Sequence, residues 1–279
     1  MPAATGRTFY KMSGSGNDFV MFDATTEDAG PLLEPETIQR LCARSTGIGA
    51  DGVVFLERSE SADFRMRYVN SDGSPAALCG NATLCSARLA GILGIASPGA
   101  LRIETDAGIV GAIVDSERPE IELETVTDVS TELPIRLADG ERWIGFAEVG
   151  VPHLVVRVDD VRIVDVVGRG RPLRHHDSLP AGANVNFVSR SAGGWLIRTY
   201  ERGVEGETLA CGTGAVASAI QIVARSEASG TIALETRSGE VLAVRLERAE
   251  RGWRPRLRGE ARLVFTGALG ELRSDFRQV

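Results

Sequence analysis

The feature that most constrains this chain is an internal repeat. GADGVVF (Gly49 to Phe55) has a counterpart in GANVNFV (Gly182 to Val188), RYVN (Arg67 to Asn70) in RTYE (Arg198 to Glu201), and LCGNA (Leu78 to Ala82) in ACGTGA (Ala210 to Ala215). The order is kept and the spacing nearly so: 29 positions separate Ala50 from Cys79, and 28 separate Ala183 from Cys211. A run of strand, turn, strand, turn and helix that occurs twice must be folded twice. The expected fold is therefore α/β (α+β), with two pseudo-symmetric lobes. Each is a curved, mostly antiparallel sheet or barrel around a central helix, and the two Cys-Gly turns are expected to face each other across the cleft between lobes. A length of 279 residues suits two domains. The expected division gives residues 1–126 plus about 266–279 to a lobe carrying Cys79, and 127–265 to a lobe carrying Cys211.

Local patterns fill in the frame. RTFYKM, SGSGND and FVMFD read as a hairpin from Arg7 to Phe22, and PETIQRLCAR as a helix opened by Pro35. GVVFLE, DFRMRYVN, ALRIETDAGIVGAIV and EIELET read as strands. NATLCSARLAGILG, following Cys79, is a helix ended by glycine. In the second half GFAEVGVPHLVVRV is strand, turn and strand around His153, RGRPLRHHDSLPAGANVNFVS is a loop leading to GWLIRTYE, and a helix runs from about Thr213 to Ala224. The strand pair TIALETRSGEVLAVRLE and the segment RLRGEARLVFTGALGEL complete the chain.

Composition removes several classes of function. A net charge of −7 argues against nucleic acid or an anionic membrane as partner. The first residues lack the pattern of a secretory signal, and no apolar run reaches membrane-spanning length, so a cytoplasmic protein is expected. Four cysteines, Cys42, Cys79, Cys85 and Cys211, form no C-x-x-C pair, and only three histidines accompany them, which speaks against structural zinc. Lys11 is the single lysine, and nothing around it suggests a pyridoxal site. No metal or cofactor is implied. The expected partner is a small amino-acid substrate, and a homodimer is left open.

Chemistry concentrates on Cys79 and Cys211. A cysteine at a helix start has its thiolate stabilised by the helix dipole and by backbone N–H groups. Those N–H groups, of Gly80, Asn81, Gly212 and Thr213, suit a carboxylate. One such cysteine would be read as a small core residue, as Cys42 and Cys85 are; two at matching places in a repeat point to function. Opposed thiols can invert a stereocentre, one removing an α-proton while the other returns a proton to the opposite face. They can also pair on oxidation, joining Cys79 to Cys211 and blocking activity. Glu201 and Arg202 end the strand before Cys211, where Asn70 stands in the first half, and are either a solvated pair or substrate contacts. Asn17 and Asn184 read as turn residues and His153 as a core imidazole. Glu205 and Glu207 are taken as solvated loop residues, and His175 and His176 carry no functional expectation.

At KMSGSGNDFV, IGADGVV, NSDGSPAALCGN, VPHLV, ANVNFV and YERGVEGETLACGTGA the chain resembles the diaminopimelate epimerases, cofactor-independent isomerases of lysine and peptidoglycan precursor synthesis. The resemblance covers nearly the whole chain, with the motifs in family order. It implies Cys79 and Cys211 as the catalytic acid/base pair, and backbone amides of Gly80, Asn81, Gly212 and Thr213 around the reacting carboxylate. It also implies Asn17, Asn70, Asn184, Glu201 and Arg202 on the substrate's polar groups, with His153 near the reacting centre. The chain departs from the family pattern at Ala82, Leu84 and Val151, where many members have glycine, arginine and asparagine. Two alternatives stand beside this reading: a related cofactor-independent racemase of another amino acid, and a non-catalytic amino-acid binder.

Overall fold

The structure, a computed structural model, describes residues 5–271. The chain forms two compact units, the first running to Pro119 and resuming at Glu260, the second spanning Glu120–Gly259. Both boundaries fall a few residues before those expected from sequence. EIELET, expected in the first lobe, forms the strand Glu120–Glu122, which pairs within the second unit. The returning segment is longer than expected, because its strand already begins at Arg262.

The first unit opens with β1 (Thr8–Gly14) and β2 (Asn17–Ala24), an antiparallel hairpin closed by Ser15 and Gly16. Both turn residues sit at positive φ, 55° and 114°, the left-handed region where a side chain is strained. The helix α1 (Pro35–Cys42) follows, with proline in its first turn. Then come β3 (Gly52–Glu57), parallel to β2, β4 (Phe64–Asn70), antiparallel to β3, and the two-residue β5 (Pro75–Ala76). After the helix α2 (Gly80–Ile92), β6 (Gly99–Thr105) lies parallel to β4 and pairs with β7 (Gly108–Val114).

The second unit repeats this order. Its own first strands are β8 (Glu120–Glu122) and β9 (Val129–Ser130). Hairpin β10 (Glu141–Val149) and β11 (Val151–Val158) is followed by the helix α3 (Val166–Arg174), then β12 (Asn184–Ser191), parallel to β11, and β13 (Gly194–Glu201), antiparallel to β12. The short β14 (Gly206–Thr208) leads to the helix α4 (Gly212–Ala224). β15 (Ile232–Glu235) is parallel to β13 and pairs with β16 (Val241–Arg248). β17 (Trp253–Arg258) joins β16 to β8, and β18 (Arg262–Ala268) returns to the first unit to pair with β1.

Each unit has two apolar layers against its sheet. In the first, Ile38 and Leu41 of α1 pack with Val20, Phe22, Val53 and Phe55. In the second, Val166 and Leu173 of α3 pack with Leu154, Val156, Val185 and Phe187. Burying each such side chain contributes about 1.5–3 kcal/mol. The opposite layer is the central helix. α2 contacts β1, β3, β4 and β7, and α4 contacts β10, β11, β12 and β16. Both are buried nearly throughout, so neither shows a one-sided apolar stripe.

The segment expected as one loop contradicts the sequence reading twice: NVNFVS lies in β12, paired with β11 and β13, and RGRPLR lies in α3, with Pro172 inside the helix. Asp165 caps its first turn by accepting from the Gly168 amide at 2.9 Å, and Gly170 lets it approach the Tyr200 side chain.

Candidate functional site

In the first unit the site residues gather around the start of α2. Cys79 is the N-cap residue, extended at φ −137° and ψ 115°, so the amides of Gly80 and Asn81 fall among the helical N–H groups that have no partner within the helix. The first turn is held tightly: a Cβ on Gly14, at the end of β1, would lie 2.9 Å from the Asn81 main-chain oxygen and 3.0 Å from Cys85 Sγ. Asn81 Nδ2 donates to Asn17 Oδ1 at 2.6 Å, and Asn17 Nδ2 donates to Asp51 Oδ2 at 3.0 Å. Two of the expected site residues are thus bonded to each other. Asn70 closes its own turn, donating from Nδ2 to Ser74 Oγ at 3.1 Å. The next residue, Ser71, donates its amide to the Asp51 main chain.

Behind Asn17 is a charged network that sequence reasoning missed. Asp51 also accepts from the Asp18 amide and from Arg44. Asp18 accepts from Arg44 and from Lys11, whose Nζ is 2.6 Å away and also donates to the Gly49 carbonyl. Burial would raise the Asp18 carboxyl, but hydrogen bonds from Arg44 and Lys11 outweigh it and hold the group below its ordinary range. The single lysine is therefore a buried ion-pair partner.

In the second unit the same frame carries different side chains. Cys211 is the N-cap of α4 at φ −139° and ψ 109°, within a few degrees of Cys79. Its Sγ lies 3.6 Å from Thr213 Oγ1. Asn184 Oδ1 accepts from the Arg202 amide at 2.8 Å, which fixes the chain where β13 ends at Glu201. His153 on β11 stands directly opposite Asn184 on β12. It is fully buried, and desolvation first, then the charge of Arg202, lower its pKa to about 3. Contacts within the unit thus tie His153, Asn184 and Arg202 into one neighbourhood.

Asn186 and Gly214 join that neighbourhood and went unseen in the sequence. A Cβ on Gly214 would overlap the Asn186 side chain and approach Cys211 Sγ to 3.2 Å. Glycine at this point of ACGTGA thus lets the polar interior reach the first turn of α4. The equivalent position in the first unit is Ala82, fully buried, where the residue matching Asn186 is Val53. Leu84 is also fully buried. Glu205 and Glu207 are more than solvated loop residues. Glu207 binds Arg198 through both carboxylate oxygens, at 2.6 and 2.7 Å, and Glu205 accepts from the Gly203 amide and Tyr200 Oη.

The parallel registers show how the repeat diverged. Phe19 faces Gly52 in the first unit and Leu154 faces Val185 in the second, so Asp18 corresponds to His153 and Asp51 to Asn184. Charged residues occupy these positions in one unit and neutral ones in the other. The repeated GADG and GANV motifs held that signal for Asp51.

Comparison with known proteins shows the family. A family model for diaminopimelate epimerase matches residues 9–129 and 145–261. A diaminopimelate epimerase of Gemmatimonas aurantiaca is 48% identical over 277 residues, covering 95% of this chain and 100% of that protein. One of Aquifex aeolicus is 39% identical, covering 94% and 98%. Among solved structures, a phenazine biosynthesis protein of the PhzF family from Bacillus anthracis superimposes with a TM-score of 0.73 at 16% identity, covering 94% of this chain and 98% of that one. That likeness is one of fold.

Proposed function

The chain belongs to the diaminopimelate epimerase family, and on that premise we propose that it interconverts LL- and meso-diaminopimelate in lysine and peptidoglycan precursor synthesis, as a cytoplasmic enzyme. The observation that carries the proposal is the pair of N-cap cysteines, Cys79 and Cys211, held at nearly the same backbone angles on equivalent helices. One thiolate takes the α-proton, the electrons of the broken C–H bond move into the α-carboxylate, and the other thiol delivers a proton to the opposite face. The amides of Gly80, Asn81, Gly212 and Thr213 bear the charge that builds on that carboxylate. Asn17, Asn70, Asn184, Glu201 and Arg202 hold the remaining amino and carboxylate groups, with Arg202 on the distal carboxylate. His153 lies beside the reacting centre.

The test is incubation of the reduced protein with LL-diaminopimelate in deuterated water. The meso form should appear with deuterium at the inverted carbon. Cys79→Ala and Cys211→Ala should each lower turnover on the order of a thousandfold or more. Inversion that survives either substitution, or wild-type protein that neither inverts nor exchanges, removes the two-thiol reading. A panel of other amino acids separates diaminopimelate from an alternative substrate.

A further inference from the structure

Two contacts fix the polarity of the Asn186 amide in the second unit. Its nitrogen is 2.9 Å from the main-chain oxygen of Leu154, which can only accept, so the NH2 faces that way. Its oxygen accepts from Thr199 Oγ1 at 2.9 Å. The same NH2 lies 3.2 Å from His153 Nδ1. An amide nitrogen does not accept, so Nδ1 must present its lone pair, and a neutral imidazole with a bare Nδ1 carries its proton on Nε2. Burial imposes the neutral form, since desolvation and the Arg202 charge both disfavour imidazolium.

The Nε2 atom is buried and has no hydrogen-bond partner among the described residues. A buried donor left in that state destabilises the fold. His153 pairs with Asn184 on the neighbouring strand, and Asn186, which contacts its Nδ1, lies against the first turn of α4, where Cys211 stands.

We propose that Asn186 is a positioning residue that locks His153 in its Nε2–H tautomer, and that this proton is a donor kept for a carboxylate oxygen of the bound amino acid. His153 then acts as a neutral donor and not as the base that strips a thiol, because its lone pair is committed to Asn186. Charge moving onto the carboxylate during proton removal strengthens the bond, so the donor favours the transition state. The identity of the ligand rests on the epimerase reading; the tautomer does not.

The experiment is histidine-selective 15N NMR on the full chain, where only three histidines give signals. His175 and His176 are assigned with a His175→Gln, His176→Gln double variant. At neutral pH His153 should show a protonated Nε2 and an unprotonated Nδ1, and saturation with LL-diaminopimelate should shift the Nε2 proton downfield. Asn186→Asp places an acceptor at Nδ1 and should move the ring to the Nδ1–H or cationic form. It should lower kcat on the order of a hundredfold and change KM by less than about threefold. A wild-type His153 protonated on Nδ1, or cationic at neutral pH, overturns the lock, and the wild-type spectrum decides this even where the variant fails to fold. An Nε2 proton unmoved by saturating ligand overturns its role as substrate donor. Failure of the epimerase reading looks different: no deuterium exchange, with the wild-type tautomer intact.

Discussion

The four cysteines divide by where each sulfur sits. Cys42 and Cys85 are buried, whereas Cys79 and Cys211 are partly exposed at helix starts. Desolvation raises Cys42 to about 12 and Cys85 well above its ordinary value. At neutral pH Cys42 therefore holds about a thousandfold less thiolate than an ordinary thiol. Iodoacetamide on the reduced protein should label Cys79 and Cys211 first, read by peptide mass spectrometry; early labelling of Cys85 would contradict its placement. His153 supplies a second prediction. Its folded pKa, about 3, lies below the 6.5 of an unperturbed imidazole, so as pH falls the unfolded chain takes up the proton first. Stability is intact above about pH 6.5 and is lost as pH falls toward 3, by about 2 kcal/mol at pH 5. Urea unfolding at pH 8 and pH 5 should show His153→Gln losing less than wild type; equal losses would remove His153 as the cause. The cysteines and the residues around them were legible because a repeat marks them twice. The role of Asn186 was not, and the repeat marked only the position of Asp51, since both roles depend on side chains that parallel strand pairing brings from distant turns.

Elements were legible where periodicity and punctuation agree. α2 and α4 follow a Cys-Gly pair and run on small apolar residues, and both hairpins that open the repeats have glycine in the turn. α3 failed that test because Gly168, Gly170 and Pro172 look like breakers. Its reasons are tertiary: Gly170 is needed under Tyr200, and Val166 and Leu173 are buried in the layer against β12. A helix this short leans on its cap. Asp165→Ala should cost about 1 kcal/mol, seen as a lower urea midpoint together with faster amide exchange in α3. An unchanged midpoint would show that packing alone holds the helix. The place of β8 in the second unit is hidden for a related reason. Its partner is β17, with Ile121 opposite Leu257, and no local pattern announces a pairing across that much chain.

The second unit is continuous in sequence and the first is not. Arg262–Ala268 closes the first sheet by pairing with β1, and just before it Ala261 donates to the Glu117 carbonyl and accepts from Arg88. Deleting residues from Glu260 onward should therefore release β1 amides to exchange and leave β11 and β12 protected. Equal loss in both units would mean that they unfold as one. The repeated frame with unlike charges has a kinetic reading. If the two directions draw their base from different units, one base is linked through Asn81 and Asn17 to the ion-paired set Lys11, Asp18, Arg44 and Asp51, and the other has a neutral imidazole nearby. Equilibrium between two stereoisomers of the same ionisation is indifferent to pH, so kcat/KM must follow one profile in both directions. Turnover at saturation carries no such obligation, and it is there, in the separate acid limbs of forward and reverse kcat, that the divergence of the two copies becomes measurable.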